Sequence, residues 1–404
     1  MEIQANPGDL RVRTAETLAQ AMNHAGIEYA VISGLEGYPH SVGRDLDVLI
    51  RREDTGKAVE MARIVSQSLG WDSILLHPSP YDLLHIFFLK REPEKLVWFE
   101  VDLMHERAML MGATPLFPDF DRILRTTECV RGPFRTNKVS YYTKAQLRPI
   151  CYGHLERFEK YALDPVDDAE IQEYLKELLG ARCAQQLIAG ARQGISGVRG
   201  MGSKLRWAMN LRYGLRNPVA LVRNILWTRI GRPWQVYWRS TGIVFAIAHP
   251  ELDDAQTAKE AVRYFNGCFE VRSRRFSERP QAAAGGRVSL LQRSARVLLW
   301  LVRLNLTYYL QDRFVARAVI QCTLYLGSPG DVTQHPESYG LTRGAEMRML
   351  QRWAPQPIEI GRNRGHATKT QCGNWIAEAV LTQMELRYSR EGHPDLNSVN
   401  EFLR

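Results

Sequence analysis

The chain has 404 residues, more than one hydrophobic core usually spans, so we expect two or three domains. Hydrophobic residues make up 45% of it and charged residues 24%, a balance that is ordinary for a soluble globular protein and excludes an intrinsically disordered one. The formal net charge is +9, and the chain has no apolar run of about 18 residues, which argues against a membrane-spanning helix.

The N-terminal quarter of the chain predicts alternating helices and strands. Apolar residues at helical spacing predict helices over 11–25 and 55–69, the second of which ends at Gly70. Five apolar runs predict strands, over 27–33, 45–50, 71–77, 83–90 and 96–104. This order of elements is typical of an α/β unit.

Two of the predicted strands carry closely spaced acids. Asp45 and Asp47 alternate with apolar residues, so both carboxylates point to one face of the strand, and Glu100 and Asp102 do the same in the later strand. Two carboxylates at this spacing repel each other, and a divalent cation such as Mg2+ would relieve the repulsion. If the two strands pair, Asp102 could reach the same cation. Alternatively, all four are ordinary half-exposed strand acids.

The residues before Asp45 complete a pattern found in a known family. An apolar run ends in Ser33 and Gly34, a turn-rich loop follows, and Arg44 directly precedes the first acid. With the later acids, residues 27–104 resemble the catalytic core of the DNA polymerase beta-like nucleotidyltransferase superfamily. That resemblance implies a small mixed sheet flanked by helices, and nucleotidyl transfer from a nucleoside triphosphate with Mg2+.

The resemblance also implies a role for individual residues. Three acids would hold Mg2+ and carry the catalysis: Asp45, Asp47 and Asp102. Ser33 and Gly34 would form the turn that cradles the triphosphate, and Arg44 would steady a phosphate. Leu35 departs from the family pattern, since it stands where a second small residue is expected. Independently of the resemblance, His85 lies within an apolar run, where a single histidine is more often a satisfied core residue than a catalyst.

Beyond residue 104 the chain becomes helical and then strongly basic. Residues 115–143 predict loops and a short strand, and 144–193 predict mostly helix. A solvated helical face is the favoured position for Lys144, and the lining of the cleft is the alternative. From residue 178 to residue 250 there is no Asp or Glu, whereas eleven side chains are Lys or Arg. Such asymmetry suggests an anionic partner for this segment.

Aromatic residues alternate with the basic ones over residues 203–239, and three interpretations stay open. The favoured one is a helical connector whose aromatic side chains pack between domains. The second is an amphipathic helix on an anionic membrane surface. The third and least favoured is a nucleic-acid-binding patch, which would use phosphate contacts and stacking.

The second half of the chain follows a different pattern. Residues 242–248 predict a buried strand, and a loop and a helix follow it. Helices are predicted over 288–311 and 373–389, and a strand over 315–326. This half resembles the thymidylate kinase-like branch of P-loop kinases, and the alternative is an unrelated α/β domain. The loop over 249–257 contains neither the glycines nor the lysine that hold phosphate, so the resemblance implies a kinase fold without phosphoryl transfer.

We therefore expect an α/β protein in three parts. They are a nucleotidyltransferase-like mixed sheet over 1–143, a basic helical connector over 144–240, and a degenerate kinase-like parallel sheet over 241–404. The expected activity is Mg2+-dependent nucleotidyl transfer to an unidentified acceptor. A sugar or phosphorylated acceptor is suggested by analogy with similar fused modules among bacterial surface-polysaccharide genes. The alternative is a catalytically inactive scaffold or regulator that retains both folds.

The remaining composition bears on location. The six cysteines show no C-x-x-C pair and no spacing typical of a zinc site, and acids rather than an apolar run lie near the N-terminus. These features favour a cytoplasmic protein, with peripheral membrane contact left open by the basic segment.

Overall fold

The computed structural model describes residues 7–79, 82–111, 113–117, 119–156, 167–231, 242–248, 260, 263–268, 270–275, 321–327, 377–378 and 381–382. These residues divide into two compact units. The first unit comprises those within 1–90 and 98–234, and the second comprises those within 91–97 and 235–393. The general α/β class predicted from the sequence is confirmed, because a mixed sheet is combined with helices.

The strands up to residue 136 are β1 (Tyr29–Ser33), β2 (Asp45–Ile50), β3 (Ser73–Ser79), β4 (Leu83–Arg91), β5 (Leu96–Met104), β6 (Leu110–Met111), β7 (Thr114–Pro115), β8 (Glu128–Arg131) and β9 (Phe134–Thr136). In the described part of the chain, seven of them form one sheet in the order β3-β4-β5-β2-β1-β9-β8. Strand β2 runs antiparallel to β1 and parallel to β5. The sheet is therefore mixed, and β2 lies near its centre with a partner on each side.

The helices of the first unit are Pro7–His24, Thr55–Leu69, Phe120–Arg125, Lys138–Tyr142, Arg148–Tyr152, Ala169–Leu179, Ala181–Arg192, Ile195–Val198, Gly202–Arg216 and Pro218–Leu226, with π-helical turns at Thr143–Leu147 and Trp227–Gly231. Local signals set several of these bounds. Gly70 adopts a left-handed φ of 71° and ends the helix before it, as its sequence position predicts. Asp168 caps the helix after it by accepting hydrogen bonds from the amides of Glu170 and Ile171. None of the described helices is both long and apolar enough to cross a membrane.

One hydrophobic core joins the sheet to the helices that follow residue 143. Ile32 and Leu49 of the sheet belong to the same buried cluster as Ile150, Leu175 and Met209 of the helices. The helices predicted over 144–193 are present in the described residues, but they do more than connect. They cover one face of the sheet, and the expected boundary after residue 143 lies within this shared core.

The second unit contains three described strands, β10 (Gly242–Ala248), β11 (Glu270–Arg275) and β12 (Gln321–Gly327). Both β10 and β11 pair in parallel with β12. The predicted strands over 242–248 and 315–326 coincide with β10 and overlap β12. Strand β11 was not predicted, because four arginine and glutamate side chains within six residues resemble a solvated loop. The loop over 249–257 and the predicted helix over 288–311 lie outside the described residues.

Candidate functional site

The parallel pairing of β2 with β5 brings four acids together. Asp45 is opposite Glu100, and Asp47 is opposite Asp102. Residues that are paired across neighbouring strands share a face of the sheet, and the strands lie about 5 Å apart. The amide of Glu100 donates to the carbonyl of Arg44 at 2.9 Å, which fixes this register at the start of β2. We call these four residues the acidic cluster.

Asp47 is the most enclosed member on β2, since only 4% of the residue is exposed. Lys144 Nζ lies 2.6 Å from its Oδ2, and the hydroxyl of Ser33 donates a hydrogen bond to the same oxygen. Burial would raise the pKa of Asp47, but the ion pair with Lys144 and the Ser33 hydrogen bond lower it below its usual value. Asp47 is therefore a carboxylate at neutral pH.

Lys144 was expected on a solvated helical face, and that prediction is wrong. Its side chain is only 16% exposed and ion-pairs with Asp47. By strand alternation, Leu49 and Met104 share the face of Asp47 and Asp102, and both lie in the core that the helices cover. The acidic cluster is thus at the edge of the covered face, where a helical lysine can reach it. A hint in the sequence is that the residues around Lys144 are mostly apolar or small.

Asp45 begins β2 and, as a whole residue, is exposed. The pKa of its carboxyl is nevertheless raised, because protein atoms displace water around it and because Asp47 and Asp102 repel its negative charge. The register of β2 with β5 places these three carboxylates on one face of the sheet. The structure thus brings together the three acids that the sequence singled out.

His85 lies between the two acids of β5. Its Nδ1 is 2.6 Å from Asp102 Oδ1 and 2.8 Å from Glu100 Oε1. Burial opposes a charge on the imidazole, but the two carboxylates raise the pKa of His85 to about 10. Burial and the charge of Asp102 raise the pKa of Glu100 to about 8, against the opposing effect of His85.

His85 is buried and its ring nitrogen has hydrogen-bond partners, as expected. These partners, however, are Glu100 and Asp102 of the acidic cluster. The ligand atoms of His85, Glu100 and Asp102 all lie within 4.8 Å of one another, so the three could also hold a metal ion. Sequence reasoning missed this contact. Strands β4 and β5 are joined by a tight turn, in which Glu92 is opposite Lys95. Counting seven residues away from the turn along each strand places residue 85 opposite residue 102, and this count is the signal that could have revealed the contact.

Ser33 reaches the acidic cluster because β1 is irregular. The register shifts between Val31 and Ser33, so that Ser33 and not Ile32 is opposite Asp47. Without this bulge, the apolar Ile32 would face the carboxylate. Ser33 therefore acts on Asp47 through its hydroxyl, and its expected contact with phosphate stays a prediction.

Gly34 lies directly behind Asp45. Its φ of +99° favours glycine, and a Cβ there would lie 2.5 Å from the carbonyl oxygen of Asp45. Its amide donates to Glu36 Oε1 at 3.2 Å, so a phosphate would have to replace that carboxylate. Leu35, which departs from the family pattern, is fully buried. Its side chain therefore points away from the turn surface.

Arg44 lies at the exposed start of β2. Its guanidinium carbon is 5.7 Å from the centroid of the Trp98 ring, a cation–π distance. The side chain is thus beside the acidic cluster and held against an aromatic surface. The structure places it near the site without assigning it a phosphate.

Comparison with known proteins adds nothing to this geometry, since no family model, curated protein or solved structure matches the chain. The resemblance to the nucleotidyltransferase superfamily therefore stays a prediction. What the site can do chemically follows from its donors. Carboxylate oxygens at short spacing are the ligands that Mg2+ prefers, and the only cations paired with them among the described residues are Lys144 and His85.

Proposed function

We propose that the acidic cluster catalyses Mg2+-dependent transfer of a nucleotidyl group from a nucleoside triphosphate to an acceptor, such as a sugar or a phosphorylated compound. One observation carries the proposal: Asp47 is paired in register with Asp102, and Asp45 lies beside them on the same face. Oxygen donors in this arrangement fit Mg2+. In this proposal the first sheet is nucleotidyltransferase-like and the parallel sheet is that of a degenerate kinase-like domain.

Each residue then has a chemical task. Asp45, Asp47 and Asp102 would hold Mg2+, which when bound neutralises phosphate charge and orients the phosphates. The acceptor oxygen forms a bond to the α-phosphorus while the bond to the bridging oxygen breaks and pyrophosphate leaves. Asp102 takes the proton of the acceptor hydroxyl, and His85 holds Asp102 in place. Arg44 steadies a phosphate at the exposed edge.

A second candidate is favoured by a specific observation, the two cations already paired with the acids. Lys144 neutralises Asp47, and His85 neutralises Asp102 together with Glu100. Side-chain cations in these positions do the electrostatic work that a metal ion would do. A catalytically inactive scaffold or regulator would retain the fold in this way without binding Mg2+.

The test of catalysis is release of pyrophosphate from a panel of triphosphates with Mg2+ and sugar or phosphorylated acceptors. Asp47→Asn should lower the rate by at least about 100-fold, because a metal ligand is lost while the shape of the side chain is kept. Glu128→Gln, which changes an exposed strand acid far from the cluster in the sheet order, should leave the rate unchanged. An undiminished rate in Asp47→Asn would remove the cluster from the reaction.

Calorimetric titration with Mg2+ separates the two candidates without an assay of turnover. A transferase must let Mg2+ displace Lys144, so the wild type should bind the ion and Lys144→Met should bind it more tightly. A scaffold stabilised by its own cations should show no Mg2+ binding in the wild type. It should also show no shift in melting temperature with any triphosphate.

A further inference from the structure

The helices Gly202–Arg216 and Pro218–Leu226, with the π-helical turn Trp227–Gly231 that follows, form a helical hairpin. The first helix carries apolar side chains on its solvent side. Trp207 is 66% exposed and Leu215 is 76% exposed, and the exposed Leu211 lies midway between them. Since residues four apart lie on the same side of a helix, these three form one continuous apolar stripe.

The second helix repeats this arrangement. Val219 is 81% exposed, and the exposed apolar side chains of Val222, Leu226 and Ile230 follow at intervals of three or four residues. They form a second stripe on the solvent side. Large apolar side chains are normal on a surface when they are scattered, but two adjoining stripes mark an interaction surface.

The opposite faces of the hairpin are already used for packing. Leu205 and Met209 are buried in the core of the first unit. The side-chain amide of Asn224, also buried, donates to the carbonyl of Ala113 at 3.0 Å. Because these contacts anchor both helices, the hairpin cannot turn its apolar stripes inward without breaking them.

The two helices are also held close to each other. A Cβ on Gly214 would lie 2.7 Å from the Leu221 side chain, so the two helices approach each other closely at this glycine. The two stripes therefore belong to helices that are in contact.

The charge around the stripes identifies the partner. The chain has no Asp or Glu between residues 178 and 250, so the hairpin itself carries no negative side chain. Arg223 and Arg229 are exposed and lie on the two sides of the second stripe, and Lys204 is exposed on the first helix, whereas the exposed Arg216 ion-pairs with Glu177. An apolar strip bordered by cations is complementary to a bilayer with an anionic surface.

We infer that the helical hairpin docks the protein on an anionic lipid bilayer, lying in the plane of the membrane with both stripes among the acyl chains. Every exposed stripe residue except Trp207 is aliphatic, and this composition distinguishes the partner from nucleic acid. Exposed leucine, isoleucine and valine offer nothing to phosphates or to the faces of bases, which arginine and aromatic residues contact. Docking does not depend on whether the acidic cluster catalyses a reaction.

Co-flotation of the full chain with lipid vesicles tests this inference. The protein should float with vesicles that contain phosphatidylserine and much less with pure phosphatidylcholine, and added salt should weaken binding. Leu215→Ser with Val219→Ser should lower the affinity at least about tenfold, because apolar area is no longer buried in the membrane. Arg223→Gln with Arg229→Gln should lower it about tenfold, since each cation near the surface contributes separately.

Ile64→Ser is the matched control, because it removes an exposed aliphatic side chain from the helix Thr55–Leu69, outside the hairpin. It should leave flotation unchanged. All substituted positions are exposed, and an unchanged melting temperature shows that each variant is folded. Failure of the folded wild type to float at low salt would overturn the inference. So would binding to an RNA or DNA oligonucleotide, or self-association, in place of lipid.

Discussion

Asp82 holds a buried carboxylate at the point where three segments of the first unit meet. It ion-pairs with Arg52, accepts a hydrogen bond from the amide of Arg107 at 2.9 Å, and lies 3.7 Å from His105 Nδ1. Burial would raise the pKa of Asp82, but His105, Arg52 and the Arg107 amide lower it below its usual value. The charged form of Asp82 therefore stabilises the fold.

The predicted consequence is a pH-dependent loss of stability in Asp82→Asn. Asparagine suits the variant because Asp82 has a φ of 62°, and asparagine tolerates that left-handed conformation. At neutral pH the free energy of unfolding should fall by about 2 kcal/mol, the usual value of hydrogen bonds to a charged group. The pKa of Asp82 is about 3.9 in the unfolded chain and lower in the folded protein. The contribution of Asp82 to the free energy of unfolding is therefore complete above the unfolded pKa.

As the pH falls through the lower folded pKa, the wild type should lose this advantage and the two proteins should converge. Urea denaturation of both over a series of pH values measures the difference. Asp121→Asn serves as the control, because Asp121 pairs with Arg51 at the surface and should contribute no more than about 1 kcal/mol. A difference that widens on acidification would contradict this assignment of charge to Asp82.

At the scale of elements, we predict how much stability is lost when the glycine in the turn after β1 is replaced by alanine. Gly26 and Gly34 both have positive φ, but nothing lies within 4 Å of a Cβ built on Gly26, whereas one built on Gly34 would meet the Asp45 carbonyl at 2.5 Å. Gly26→Ala should therefore cost about 1 kcal/mol, from backbone conformation alone. Gly34→Ala adds a clash with backbone and should cost about 3 kcal/mol.

Chemical denaturation of the two variants compares these costs directly. Since both replace a left-handed glycine by alanine, the difference between them isolates the close approach to β2. Equal costs would mean that the turn can shift away from Asp45.

The elements that the sequence predicted well are those with long apolar patterns. The helix over 55–69 and the strands over 45–50 and 96–104 have the expected bounds. Residues 115–143 were expected to be loop and short strand, but they also contain the short helices Phe120–Arg125 and Lys138–Tyr142. Helices of five or six residues are too short to show a period, and their caps at Asp119 and Asn137 were the available signals.

Some features of the candidate site could likewise be predicted from the sequence, and others could not. Asp45, Asp47 and Asp102 could be found because alternation within a strand is local. That β2 and β5 are neighbours in register could not be read from the sequence, since parallel pairing joins segments far apart in the chain. The contacts of Lys144 and His85 are consequences of that pairing and of the helices packed over it. Side chains that meet only in the folded protein leave little trace in a linear pattern.

For the molecule as a whole, the shared core determines how much of the chain is needed for independent folding. The sheet residues Ile32 and Leu49 pack in one cluster with side chains that follow residue 143. Among these are Leu147, Ile150, Cys151, Ile171, Leu175, Ala184, Leu187, Leu205 and Met209. The helices that were expected to connect two domains are thus part of the first unit's interior.

A polypeptide of residues 1–143 should therefore lack a cooperative unfolding transition, whereas residues 1–231 should show one. Each large buried side chain that loses its packing partners costs about 2–5 kcal/mol, and a few such losses exceed the 5–15 kcal/mol that holds a typical domain together. Calorimetric melting of both polypeptides, with the full chain as reference, measures the difference. A cooperative transition in the shorter polypeptide would mean that the sheet is stable without its helical cover. In that case the sheet would be stable without the ion pair between Lys144 and Asp47. The shared core instead indicates that this ion pair forms as the helices pack against the sheet and cover part of the acidic cluster.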